Sequence, residues 1–320
     1  MKEIIDVINN NYTFAILSHV NADGDAIGSI MAIKQLLDSL NKRTYIFLQE
    51  PVSENYNFLG IAEYKNKFAL SSYDVAICLD CPNIKRFGSW EREFHKSQIS
   101  INIDHHPDNE NFADYNLVKS DKCSTCEIVY DLFTENNIEI IESIATCLYS
   151  GIATDTGRFA HSNTTYSSYI SAGNLVKLGA DIDSINYYLF QRKSNKEFEL
   201  FKKALNNLEF FENGKIVVAY ITKAMLEEVG GSSNDTRLVV DFIRGIENVD
   251  IAAIITENKS LESLVSVRTN KSSAQNICKA FGGGGHVKSA GCRIFTKFED
   301  AKKKLIEECI KELKNDKWYN

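Results

Sequence analysis

INIDHHPDN, residues 101–109, is a stretch whose pattern organises the first half of the chain. Ile101 and Ile103 alternate with polar residues, the period-2 mark of a β-strand. The run ends in Asp104 and two adjacent histidines. Successive strand residues point to opposite faces, so a strand continuing through both histidines would not easily offer both rings to one ion. The second histidine therefore needs its own explanation.

Around this strand the text alternates. FAILSHV (14–20), TYIFLQ (44–49) and DVAICLD (74–80) read as short strands. DAIGSIMAIKQLLDSL (25–40), CEIVYDLFTEN (126–136) and IESIATCLYSGIAT (141–154) carry the apolar spacing of helices. The pattern implies an α/β fold, a mainly parallel sheet flanked by helices, over residues 1–185. Residues 186–212 are charged and helical in pattern and read as a connecting helix. GKIVVAYIT, DIAAIITE and LVSVRTN then read as strands of a second, smaller α/β domain across a cleft, residues 213–320. The final FEDAKKKLIEECIKELKN reads as an amphipathic helix with a solvated Lys/Glu face.

The 320 residues carry a net charge of −7, with 44% hydrophobic and 25% charged side chains. Such a chain offers no long basic channel, so no long nucleic acid is expected as a partner. No apolar run reaches membrane-spanning length, and the N-terminus lacks a signal pattern, so a cytoplasmic protein with no membrane partner is expected. The eight cysteines sit mostly in apolar segments, the setting of buried reduced thiols. Two C-x-x-C spacings, Cys78/Cys81 and Cys123/Cys126, have the form of a zinc site, but Cys78 lies inside a strand-like run.

Four clusters in the first domain are rich in Asp and His: SHVNADGDAIGS with His19, Asp23 and Asp25; CLDCPN with Asp80; IDHHPDN with Asp104, His105, His106 and Asp108; and GIATDTGRF with Asp155. Singly, each has a bland explanation. Asp23-Gly24 is a turn signal and Asp25 a helix N-cap. Together, four carboxylates and several imidazoles at neighbouring strand ends would repel one another unless cations sat between them. Asp23, Asp25, Asp80 and Asp155 bring four negative charges, which two divalent ions balance. Mixed oxygen and imidazole donors suit manganese better than calcium or a thiolate-bound zinc.

The order H-x-x-x-D-x-D, then D, then D-H-H, then a late D resembles that of the DHH phosphoesterase superfamily. The second domain is similar to the DHH-associated domain of the first type, through GGGGH at 282–286, KSAG after it and VSVRTN before it. The whole resembles the stand-alone nanoRNase/pAp phosphatases. The resemblance implies a metal-dependent phosphoesterase that hydrolyses very short oligoribonucleotides and adenosine 3′,5′-bisphosphate by attack of a metal-bridging hydroxide. It implies His19, Asp23 and Asp80 on one ion, and Asp25, Asp80, His105 and Asp155 on the other, with Asp80 as the bridge. Asp104 would orient the metal-bound imidazole, and His106 would face the substrate. Arg268, Gly283, Gly284, Gly285 and His286 would bind the far end of the substrate. One departure stands out: Ala22 occupies a position where the family often has proline.

Two alternatives remain open at this point. One is hydrolysis of a cyclic dinucleotide (c-di-AMP) or its linear product pApA. The other, of a different class, is a non-catalytic nucleotide-binding or sensing protein. That reading requires a lost ligand, and all six ligand positions are filled. The reading leaves room for a homodimer.

Overall fold

The computed structural model describes residues 1–63 and 69–315. These form two compact units, Met1–Arg192 and Lys193–Asn320. The first unit is built on five strands, β1 (Thr13–Leu17), β2 (Arg43–Phe47), β3 (Tyr73–Leu79), β4 (Ser97–Asp104) and β5 (Tyr115–Val118). They lie in the order β2-β1-β3-β4-β5, and every pairing is parallel. Among the described residues, seven α-helices accompany them: α1 (Lys2–Asn10), α2 (Gly24–Ser39), α3 (Glu91–Phe94), α4 (Thr125–Glu135), α5 (Glu142–Asp155), α6 (Tyr166–Lys177) and α7 (Ile182–Ile185).

Both faces of this sheet are covered, which is why β1 and β3 read as continuous apolar runs rather than alternating ones. One face packs Ile16, Ile77 and Ile103 under α2 and α4. The other packs Leu17, Ala76 and Cys78 under Phe87 and Phe94. The order reverses between β1 and β3, since the chain leaves β1 for β2 on one side and returns to β3 on the other. That reversal opens a crevice at the carboxyl ends of β1 and β3, the usual ligand position in open α/β sheets.

The second unit carries α8 (Asn195–Asn206), β6 (Leu208–Phe211), β7 (Ile216–Ile221), α9 (Lys223–Val229), α10 (Arg237–Arg244), β8 (Ile251–Lys259), β9 (Glu262–Thr269), α11 (Ala274–Lys279), β10 (Gly284–His286), β11 (Ser289–Ile294) and α12 (Phe298–Asn315). Its mixed sheet runs β10-β11-β9-β8-β7-β6, with β7 and β8 parallel and the rest antiparallel. One face packs against α11 and α12 through Val265, Val267 and Leu305. The opposite face packs Val217, Ala252 and Ile254 against Leu200, Val240 and Ile243 of α8 and α10.

The expected connecting helix over 186–212 is not one helix. α7 passes into a π-helical turn over Asn186–Gln191, and the helical path ends at Arg192, with φ −60° and ψ 125°. α8 restarts behind a Ser194 cap, and its Leu200 and Ala204 are buried in the second unit's core. The charged residues of α8 form its solvated face, which is what the composition had suggested was a linker. All eight cysteines are free and buried. Among the described residues, no helix is long and apolar enough to cross a membrane.

Candidate metal centre

Three strand ends converge on the crevice. Parallel register aligns Leu17 with Cys78 and Leu79 with Ile103. His19, Asp80 and His105, each one or two residues beyond its strand, therefore arrive at the same edge. Asp80 takes a left-handed backbone, φ 55°, which an aspartate tolerates better than most residues. This turns its carboxylate between its neighbours. Its Oδ2 lies 3.3 Å from His19 Nε2, and its Oδ1 lies 3.5 Å from His105 Nε2.

Asp23 and Asp25 come from the start of α2. Asp23 is the N-cap and accepts from the backbone N–H groups of Asp25 and Ala26 at 3.1 and 3.2 Å. The capping role expected of Asp25 thus falls to Asp23. Asp25 is fully buried and points instead into the N-terminus of α4, where the N–H groups of Thr125 and Cys126 donate to its two oxygens at 2.6 and 2.8 Å. Peptide dipoles at that helix end favour the carboxylate. Asp155 does not follow a strand, as the other clusters do. It is the last residue of α5 and lies with its Oδ2 3.4 Å from His105 Nε2.

All six expected ligands therefore fall into two groups. His19, Asp23 and Asp80 offer ligand atoms within 4.8 Å of one another, and so do Asp25, His105 and Asp155; a third such set, Asp80, His105 and His106, shares a residue with each. His19 Nδ1 lies 2.7 Å from the Val20 carbonyl. That bond fixes the ring with Nε2 facing the carboxylates, the orientation a ligand needs.

The two adjacent histidines share one side of the chain because β4 stops at Asp104. Alternation ends with it, and His105 Nε2 and His106 Nδ1 lie 3.5 and 3.6 Å from the same Asp80 oxygen. Asp104 differs from its expected task. Its Oδ1 accepts from His106 Nδ1 at 2.8 Å and from the His105 backbone N–H at 2.9 Å, so it orients the ring of His106 rather than that of His105. Asn109 donates to the other Asp104 oxygen at 2.6 Å, a partner that sequence reasoning missed. The Asx-turn character of PDN was the available signal. Thr125, whose hydroxyl donates to Asp80 at 3.2 Å, was also missed; Ser-Thr ahead of an apolar helix was its mark.

The charges do not balance without a guest. Burial raises the Asp25 carboxyl well above its ordinary range, and repulsion from Asp80, Asp155 and Asp23 adds to this. Asp155 is pushed up to about 8, again by burial first and then by Asp80 and Asp23. Burial and Asp80 also raise Asp23. Asp80 moves the other way: burial pushes it up, but the bond from His19 and the charges of His105, His19 and His106 outweigh burial. For His106, the bond to Asp104 is the largest cause, and it pushes the imidazole up to about 9. Carboxylates that cannot all ionise side by side form a site short of positive charge. Oxygen and imidazole donors in two groups, with Asp80 between them, fit a pair of divalent cations.

In the second unit, the glycine run serves the backbone first. The Gly283 N–H donates to the Cys278 carbonyl at 2.9 Å and the Gly282 N–H to Lys279 at 3.0 Å, with φ 73° at Gly282. This is a Schellman ending of α11. Those two N–H groups are thus committed, although Gly283 was expected to bind the far end of the substrate. Gly284 and Gly285 continue as the exposed edge strand β10 with His286. Register places Arg268 opposite Ser289, and Ser289 opposite His286. Directly paired residues share a face, so Arg268 and His286 flank Ser289 on one side of the sheet. Arg268 Nε donates to Asp241 of α10 at 2.9 Å.

Comparison with known proteins agrees with this architecture. Residues 13–152 match the DHH family, N-terminal domain, and residues 213–315 match the DHHA1 domain. The bifunctional oligoribonuclease and PAP phosphatase NrnA of Thermus thermophilus is 29% identical over 303 residues, covering 93% of this chain and 89% of its own. A probable bifunctional oligoribonuclease and PAP phosphatase NrnA of Streptococcus mutans is 27% identical and covers 98% of each chain. Among solved structures, an exopolyphosphatase-related protein from Bacteroides fragilis superimposes with a TM-score of 0.88 at 24% identity, over 97% of this chain and 95% of its own. That likeness speaks to the fold.

Proposed function

We propose that this chain, in which a region matching the DHH family, N-terminal domain, is followed by one matching the DHHA1 domain, is a DHH phosphoesterase that hydrolyses very short oligoribonucleotides and adenosine 3′,5′-bisphosphate with two divalent cations, manganese preferred. One observation carries the reading: Asp80 offers one oxygen to the His19 side and the other to the His105 side. The relatives named as oligoribonucleases and PAP phosphatases span nearly the whole chain, which supports the substrate class.

In this reading His19, Asp23 and Asp80 hold one cation, and Asp25, Asp80, His105 and Asp155 hold the other. When bound, such a pair neutralises phosphate charge and lowers the pKa of water. The remaining steps fall to the chain's own groups. α4 keeps Asp25 in place through Thr125 and Cys126. Asp104 occupies His106 Nδ1, which leaves Nε2–H to donate to a phosphoryl or departing oxygen. In the second unit, Arg268 and His286 offer a guanidinium and an imidazole on one face of the sheet, groups suited to a substrate's anionic end.

The test is a substrate panel on the manganese-loaded protein. Diribonucleotides and adenosine bisphosphate should be turned over, and excess chelator should abolish both activities. Turnover confined to cyclic dinucleotides or pyrophosphate would refute the substrate class. Undiminished turnover in chelator would refute the cations.

A further inference from the structure

In the first unit, α6 turns an apolar face to solvent. Its inner face is ordinary: Ser168, Ser171, Ala172 and Leu175 are buried, the last two in the core beneath it. The outer face of such a helix is normally charged or polar. Here Tyr166, Tyr169, Ile170, Gly173 and Val176 recur at spacings of three and four residues, and all are exposed. Tyr166 is 83% exposed and Tyr169 57%. Lys177, on the same stripe, is the one charged residue of the helix.

Gly173 sits in the middle of this stripe. Glycine weakens a helix interior, and a Cβ placed there would meet nothing within 4 Å. No contact inside the chain therefore asks for a bare backbone at this point; close approach of a second helix does. A two-fold axis crossing at Gly173 lays two copies of α6 antiparallel, and their side chains then match. Ile170 faces the partner's Val176, and Tyr169 faces the partner's Lys177, a ring against a cation. Tyr166, Tyr169, Ile170 and Val176 expose on the order of 500 Å², against about 800 Å² per partner in a stable interface. The exposed Leu178 and Ile141, at the C-terminal end of α6, are placed to add to it. A membrane surface would call for several cations beside the apolar stripe, and α6 brings one.

We propose that the outer face of α6 is the contact surface of a symmetric homodimer, in which two copies of the helix cross antiparallel at Gly173. Tyr169 links this contact to the metal centre. Its ring stacks on Phe159, with centroids 5.0 Å apart and planes 21° from parallel. Phe159 lies in the turn that follows Asp155. The dimer thus covers the ring that braces this turn, whichever substrate the centre takes.

Sedimentation velocity on the full-length chain at about 10 µM should show a dimer, since interfaces of standard size hold at micromolar concentration or below. Ile170→Asp places a carboxylate at a position that is exposed in the single chain, so the fold and its circular dichroism should be unchanged. In the dimer that charge is buried against the partner's Val176, and dissociation should become easier by at least about 100-fold. Gly173→Cys adds a thiol in open space. Mild oxidation should join two copies through it, while the parent, whose eight cysteines are all buried, stays unlinked. A monomeric parent overturns the proposal and leaves the stripe to a different protein. A dimer that Ile170→Asp leaves intact overturns this face, and Gly173→Cys copies that stay unlinked overturn the crossing at Gly173.

Discussion

Gly151→Ala should damage the site from beneath, without touching a ligand. Gly151 lies on α5 where that helix meets α2 and α4. An added Cβ there would sit 2.2 Å from Cys126 Sγ and 2.7 Å from Asp25 Oδ1, whereas ordinary contact begins at 3.4 Å. The shortfall exceeds 1 Å on a buried sulfur, so α5 must move away from α4. Overpacking of this kind costs about 1–3 kcal/mol, and for a unit of this size each kcal/mol lowers Tm by roughly 2–4 °C. Asp155 lies one helical turn beyond Gly151 and moves with it, while Asp25 is pushed directly. A misplacement near 1 Å costs on the order of 100-fold in turnover. The assay pairs thermal unfolding with diribonucleotide turnover, for Gly151→Ala and for Gly151→Ala with Cys126→Ala. Removing the sulfur should restore part of the lost Tm but little of the activity, because the crowding of Asp25 remains. A Gly151→Ala protein within about 1 °C and about twofold of the parent would show that the helices are not packed as described.

Three further outcomes are expected. Asp80→Asn should lose at least about 100-fold in both cation affinity and turnover, with cation content read by elemental analysis; a variant still holding two cations would contradict a shared carboxylate. Asp104→Asn should lower kcat by roughly 10–100-fold while cation affinity stays near that of the parent, and equal loss of both would mean that Asp104 does not act through His106. Asp74 accepts from the N–H groups of Thr13 and Tyr12 and from the Thr13 hydroxyl, bonds that lower its pKa, the Thr13 N–H most of all. Asp74→Ala should therefore cost about 1–3 kcal/mol in urea unfolding at neutral pH. The bonds favour the carboxylate over the neutral acid, so the deficit should shrink as pH falls below the ordinary value of 3.8 and through the lowered native pKa. A deficit independent of pH would assign the effect to packing.

The parallel sheet and the residues at its edge were legible because burial on both faces leaves long apolar runs, and an aspartate or histidine ending such a run stands out. What escaped were the choices made by tertiary contact. Asp23 and Asp25 are equally good caps on paper; α4, a hundred residues away, draws Asp25 off by offering two N–H groups. Asp155 ends a helix rather than a strand, and only the packing of α5 on α2 brings it to His105. Likewise, FGGGGH names a flexible anion loop and a helix stop equally well. Two of its four glycines are used in stopping α11. A cavity of the second unit left no mark in the text at all, since its lining residues Ser233, Ser266 and Phe295 come from a helical turn, a strand and a strand end far apart in the chain.

The backbone at residue 80 narrows the admissible alphabet more than coordination alone would. Glutamate would keep the charge but carry an extra methylene, and it lacks aspartate's ease with a left-handed φ. Asparagine accepts that φ but is neutral. Glycine relaxes the chain and brings no oxygen. Only one of the twenty side chains meets both demands. A survey of functional variants at this position should therefore return aspartate alone, even under selection lenient enough to admit substitutes at Asp23, whose φ of −101° sets no such filter.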